Sequence, residues 1–141
     1  MCDAPSRANT RSARRGPTLT ELAYLAGFFD GEGYVGFLSR SINVSVSNTN
    51  YSILEEFLKL FGGIIRRKNF ATRTRRSAFE WRIYGAHAAK FLSTISPFLR
   101  EKRPQAELAL SIPRGVVRAR GPLIAELKRL KRIDHDSIKS Q

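Results

Sequence analysis

"LAYLAGFFDGEGYVGF", residues 22–37, starts as an apolar helix and ends as an alternating strand, with Asp30 and Glu32 set among Gly31, Gly33 and Gly36 at the join. Just upstream, "GPTLTE" carries a helix start: Thr18 caps, and Glu21 three residues on completes a capping box. The spacing predicts a helix running to about Asp30. On its wheel Leu22, Leu25, Ala26 and Phe29 form a core stripe, while Ala23, Gly27 and Gly31 recur every four residues as a ladder of small side chains. Small residues at that spacing let two helix backbones approach closely. Glycine in a helix interior costs ~1 kcal/mol, so Gly27 points to a contact.

Asp30 and Glu32 stand at the negative end of the helix macrodipole, where carboxylates are disfavoured and a cationic partner is called for. If the small-residue face meets its own copy across a two-fold axis, two Glu32 carboxylates come together. Such a pair suits a hard divalent cation such as Mg²⁺, which prefers oxygen ligands. Mg²⁺ between acids on a basic surface points to phosphodiester hydrolysis.

The basic surface follows from composition. In 141 residues there are 25 Lys and Arg against 12 Asp and Glu, a net charge of +13. A surplus of that size gives affinity for polyanions, nucleic acid before acidic membranes. A 42% hydrophobic fraction with nine Phe and four Tyr is that of a globular chain, and the length is that of one domain. No apolar run approaches the ~18 residues of a membrane helix, and no membrane partner is expected. Cys2 is the single cysteine, and with only His87 and His135 beside it neither an internal disulfide nor a spaced zinc set can form. This fits a reducing intracellular compartment, bacterial cytoplasm or an organelle. Residues 1–17 carry Arg7, Arg11, Arg14 and Arg15 among small polar residues and are expected to form a disordered basic arm. The same composition suits a transit peptide. Residues 18–141 are expected to be one domain ending in helices.

After the first helix, "YVGFLSR" and "INVSVSN" read as paired strands turning at Ser-Arg-Ser. "YSILEEFLKLFGG" is an amphipathic helix stopped by Gly62 and Gly63. "IIRRKNF" and "AFEWRIYG" form a second strand pair joined by the basic "ATRTRRS". "AHAAKFLSTI" is a helix ended by Pro97, another lies around "EKRPQAELALSI" with Pro104 in its first turn, and "PLIAELKRLKRI" is a last helix with its basic residues at the end the dipole favours. The order predicts an α+β fold: a four-stranded antiparallel sheet with helices on one face.

Strand alternation assigns the other face. With Val35 and Phe37 inward, Tyr34, Gly36, Leu38 and Arg40 point outward. On the following strands so do Asn43, Ser45, Ser47, Arg66, Lys68, Glu80 and Arg82. Such a face is equipped for base-edge hydrogen bonds in a major groove. Arg73, Arg75 and Arg76, on the connecting loop, suit phosphates. Trp81 is assigned to the core. Gly31-Glu-Gly33-Tyr-Val-Gly36 matches G-x-G-x-x-G, but a dinucleotide fingerprint runs from strand to helix, and here the order is reversed.

With these residues in view, "LAGFFDGEG", Leu25 to Gly33, resembles the signature of the LAGLIDADG homing endonucleases. "SVSNTNYSILEEFLKLFGG", "FEWRIYG" and "FLSTISPFLREKRPQAELAL" are similar to later family elements, so the resemblance covers roughly Thr18 to Ile112. It implies the αββαββα core of that family, with the sheet forming a saddle over DNA. It implies a homodimer, since the motif occurs once, packed through the motif helices at Ala23, Gly27 and Gly31 and favouring near-palindromic sites. It implies that Glu32 is the metal ligand, assisted by the Gly31 carbonyl, with Mg²⁺ as cofactor and Mn²⁺ able to substitute. It implies a catalytic lysine at Lys102 and a polar residue closing the second strand, Asn48 first and Ser47 next. The implied activity is a metal-dependent double-strand break by an intron-encoded enzyme. A maturase binding its intron RNA, or a DNA-binding regulator that has lost cleavage, would share the fold.

Overall fold

The computed structural model of the chain describes residues 16–38, 41–112 and 117–139. The elements run α1 (Leu19–Glu32), β1 (Gly33–Leu38), β2 (Ser41–Asn48), α2 (Tyr51–Phe61), β3 (Ile64–Asn69), β4 (Ala78–Tyr84), α3 (Gly85–Ile95), a 3₁₀ turn (Ser96–Phe98), α4 (Arg103–Ser111) and α5 (Val117–Lys139). The four strands make one antiparallel sheet in the order β1-β2-β4-β3. The predicted α+β architecture is the one observed. Among the described residues no helix is long and apolar enough to cross a membrane.

Local chemistry starts α1 where the sequence places it. Thr18 Oγ1 accepts from the Glu21 N–H at 3.1 Å, and Glu21 Oε2 accepts from the Thr18 N–H at 2.8 Å. The helix runs two residues past the predicted Asp30, because the Gly33 N–H donates to the Phe29 carbonyl and completes one more turn. Gly33 then enters β1 directly. A methyl group there would lie 2.3 Å from the Phe29 ring, so only glycine lets the strand leave so close to the helix it follows.

The inward side chains of the sheet, Val35, Val44, Val46, Trp81 and Ile83, meet Leu25, Ala26 and Phe29 of α1, Leu54 and Phe57 of α2 and Phe91, Leu92 and Ile95 of α3. Phe91 lies at the middle of the aromatic contacts, its ring 5.2 Å from Phe29, 4.7 Å from Phe61 and 5.1 Å from Trp81 between centroids. Burying one such ring contributes about 1.5–3 kcal/mol. Trp81 is core as predicted, and its indole N–H donates to the Gly62 carbonyl at 2.8 Å. That bond fixes the α2–β3 turn. Gly63 in this turn has φ +95°, and a side chain would meet Ile83 and the Arg82 carbonyl.

Two boundaries differ from the sequence reading and a third is as read. Helix α3 ends at Ile95, two residues before Pro97, and hands over to the 3₁₀ turn, whose first positions tolerate proline. The helix around "EKRPQAELALSI" begins at Arg103 with Pro104 in its first turn, as read, and the backbone before it is held by Asp30. The last helix starts at Val117, not Pro122, and carries Pro122 inside it. Arg40, the Leu38 side chain and residues 1–15 of the basic arm lie outside the described residues.

Candidate active site and nucleic-acid interface

The join between α1 and β1 carries the site. Asp30, whose place at a helix C-terminus looks unfavourable in sequence, is satisfied by the main chain. Its Oδ2 accepts from the Arg100 N–H at 2.9 Å and its Oδ1 from the Lys102 N–H at 3.0 Å. Lys102 also brings its Nζ within 2.6 Å of the Asp30 carbonyl oxygen, setting a cation on the negative end of α1. The cation called for at this helix end is thus in part a lysine of the chain itself.

Glu32 differs. It is exposed and has no hydrogen-bond or ion-pair partner among the described residues. Helix geometry leaves carbonyls of the last turn, Gly31 among them, without intrahelical donors. In the β1–β2 register Gly33 faces Val46, which brings the end of β2 to the same end of the sheet as the α1–β1 join. Ser47 shares a cleft with Glu32. Asn48 takes a different job: its Oδ1 accepts from the Asn50 N–H at 2.7 Å in the turn that leads into α2, where Asn50 is the cap. Among the described residues no group of three or more His, Cys, Asp or Glu gathers for a metal. One protomer therefore offers a free carboxylate and its neighbouring carbonyl, which fits a divalent cation only if further oxygens come from outside the chain.

The small-residue face of α1 is open. Ala23, Gly27 and Gly31 are exposed, and a side chain added at Gly27 or Gly31 would touch nothing within 4 Å. Gly27 is therefore not required by packing against its own sheet. Leu19 and Tyr24, 73% and 58% exposed, extend this face. A helix apolar on two sides, with one of them uncovered, is built for a second contact.

The outer face of the sheet holds an open cleft of about 460 Å³ lined by Glu32, Tyr34, Asn43, Ser45, Ser47, Lys68, Glu80 and Arg82. Strand alternation predicts this outward set, but three members are not solvated: Asn43, Ser45 and Glu80 are only 6%, 5% and 4% exposed. The longer side chains cover them. Glu80 is the hub, with Arg82 Nη2 at 2.7 Å, Arg66 Nη2 at 3.2 Å and Lys68 Nζ at 3.9 Å from its carboxylate. Lys68 Nζ also lies 3.4 Å from Ser47 Oγ, and Arg82 Nη1 donates to the Tyr84 hydroxyl at 3.1 Å. Asn43 Oδ1 and Arg82 Nε are buried without a partner among the described residues, an acceptor and a donor left over on this face. Arg73, Arg75 and Arg76 are exposed on the β3–β4 loop. That loop leaves the same end of the sheet as Glu32, about 14 Å across three strand spacings. The structure thus gathers Glu32, Tyr34 and Ser47 in one cleft with the polar sheet residues and puts Lys102 beside Asp30, while the loop arginines stay apart.

One functional-looking residue escapes a sequence reading. Lys131 of α5 places its Nζ 3.9 Å from the centroid of the Tyr34 ring. In sequence its helix end looks like an ordinary complement to the dipole, and nothing local links it to β1.

Residues 20–96 match the family model described as a LAGLIDADG-like domain. Among solved structures, the chain is similar to the homing endonuclease I-CvuI in complex with its target in the presence of Ca, at 25% identity and TM-score 0.64 over 79% of this chain and 82% of that one. The same figures hold for I-CvuI with the I-CreI target in the presence of Mg, where the DNA is not cleaved. The archaeal intron-encoded homing endonuclease I-Vdi141I complexed with DNA shares the fold at 18% identity and TM-score 0.60, over 79% of this chain and 84% of that one. No match is found among curated proteins.

Proposed function

This chain belongs to the LAGLIDADG family through its domain at residues 20–96, and from that membership we propose that it is a homodimeric, divalent-metal-dependent homing endonuclease. The observation that carries this reading is Glu32: a carboxylate unpaired among the described residues, at the end of an uncovered helix face and at the edge of a polar, cation-lined cleft.

Pairing α1 with its copy through Ala23, Gly27 and Gly31 would cover the open face and bring two Glu32 carboxylates to the two-fold axis. With the Gly31 carbonyls and DNA phosphate oxygens they would hold Mg²⁺, or Mn²⁺ in its place. A cation bound there supplies charge to the scissile phosphate and acidifies attacking water. The chain's own groups do the rest. Lys102, fixed by Asp30, brings positive charge to the phosphate side of the site. Ser47, which shares the cleft with Glu32, is the polar group for ordering solvent. Asn43, Ser45, Arg66, Lys68, Glu80 and Arg82 present donors and acceptors to base edges. Arg73, Arg75 and Arg76 reach backbone phosphates. Two copies of one half-site reader favour a near-palindromic target. Encoding within an intron is part of the same proposal.

The test is a cleavage assay on plasmid DNA carrying a randomised insert, with Mg²⁺ and with EDTA. Metal-dependent double-strand breaks at a selected near-palindromic sequence are expected. Binding of intron RNA with no DNA cleavage would overturn the reading in favour of a maturase.

A further inference from the structure

We propose that Lys131, on the C-terminal helix, is a phosphate-binding residue of the cleavage site that works with Lys102 beside Tyr34. The inference rests on the endonuclease reading above and adds to it a residue from outside the matched family domain.

Tyr34 stands two residues after Glu32 and lines the same cleft. Its ring lies along its own strand over Gly36, where a methyl group would come within 2.5 Å of the Tyr34 hydroxyl. Glycine at 36 thus allows the ring to lie flat, and Lys131 Nζ sits on it at 3.9 Å from the centroid. The ring face attracts a cation, but only weakly.

Everything else around this ammonium disfavours its charge. Burial, followed by repulsion from Lys128 and Lys102, pushes Lys131 down to about 8. No described carboxylate pairs with it. Glu126 on the same helix is taken by Arg129 in a two-pronged pair. A cation kept among cations, on the ring of a residue that lines the Glu32 cleft, lacks an anion that the described protein does not supply. The phosphodiester backbone approaching Glu32 has that chemistry, and one oxyanion between Lys102 and Lys131 would relieve their repulsion.

The test compares wild type with Lys131→Met, Lys131→Gln and Lys131→Arg. Methionine keeps an apolar stem against the Tyr34 ring and removes only the charge. Binding to a random-sequence duplex is followed by anisotropy in Ca²⁺ across a KCl series, with thermal melts alongside. For Met and Gln the slope of log K against log[KCl] should become shallower by about one per protomer, while Arg restores it. Single-turnover cleavage of the randomised plasmid in Mg²⁺ should fall about tenfold for Met and Gln. An unchanged slope in both neutral variants would overturn the proposal and leave Lys131 a packing residue. A changed slope with no cleavage even by wild type would support the phosphate contact and overturn the endonuclease reading instead.

Discussion

Lys102 and Asp30 are joined twice: the Lys102 N–H donates to the Asp30 carboxylate at 3.0 Å, and its Nζ lies 2.6 Å from the Asp30 carbonyl oxygen. The first bond pins the turn that starts α4, and the second neutralises the end of α1. Asp30→Ala should therefore leave the Arg100 and Lys102 N–H groups without their acceptor. The expected cost is about 1–3 kcal/mol in urea denaturation. Cleavage should fall by more than the stability loss explains, because Lys102 loses its anchor. Equal stability of variant and wild type would show that the carboxylate does not hold this turn.

Glu32→Gln removes the free charge without touching the core, since Glu32 is exposed. Cleavage in Mg²⁺ should drop by at least about 10²-fold, with duplex binding in EDTA kept within a few-fold. If the variant cleaves at the wild-type rate, Glu32 is not a metal ligand.

The helix, the strands and the core stripe were legible because each rests on local periodicity. Leu22, Leu25, Ala26 and Phe29 are buried as their spacing demands, and Thr18 and Glu21 cap as their spacing allows. The side taken by the outward strand residues was legible for the same reason, whereas Glu32 was singled out by its place at a helix end and by resemblance to a family motif. What sequence could not reveal is set by distant contacts. Asp30 has no visible role until the chain returns seventy residues later to offer two N–H groups. The burial of Glu80 depends on Arg66, Lys68 and Arg82 arriving from two strands, and alternation gives side but not depth.

Gly27→Leu should separate the proposed dimer. The position is open in the single chain, so leucine fits the protomer and its fold; only a second helix packed closely there would be displaced. Sedimentation should show a shift from dimer to monomer with the thermal transition of the protomer retained. An unchanged dimer mass would place the interface elsewhere.

Glu80→Gln leaves Arg66, Lys68 and Arg82 without their shared carboxylate. Arg66 and Lys68 are more than half exposed and re-solvate, so the cost should be about 1–3 kcal/mol, between surface and buried pairs. Losing a negative charge on this face should also tighten binding to random duplex DNA and narrow the gap between selected and random sites. That ratio, measured by competition, should fall; an unaltered ratio would mean that Glu80 does not order the reading arginines.

The protonation of Lys131 gives folding and DNA binding opposite pH dependences. In the folded chain it titrates at about 8, against an ordinary value of 10.5, under burial among Lys128 on its own helix, Lys102 before α4 and the Tyr34 ring on β1. Below 8 both folded and unfolded forms hold the proton, and the group gives stability no slope. Between 8 and 10.5 the unfolded chain holds the proton and the folded one has released it, so stability rises with pH through this window. It is lost again as pH falls through 8. DNA phosphate prefers the charged form, so duplex affinity should decline as pH rises past 8, with a proton taken up on binding. The difference between wild type and Lys131→Met isolates this group from the tyrosines and other lysines that titrate nearby. Denaturation and anisotropy at pH 7 and pH 9 should show the wild type gaining stability and losing affinity relative to the variant. Parallel curves would mean that Lys131 keeps its proton throughout.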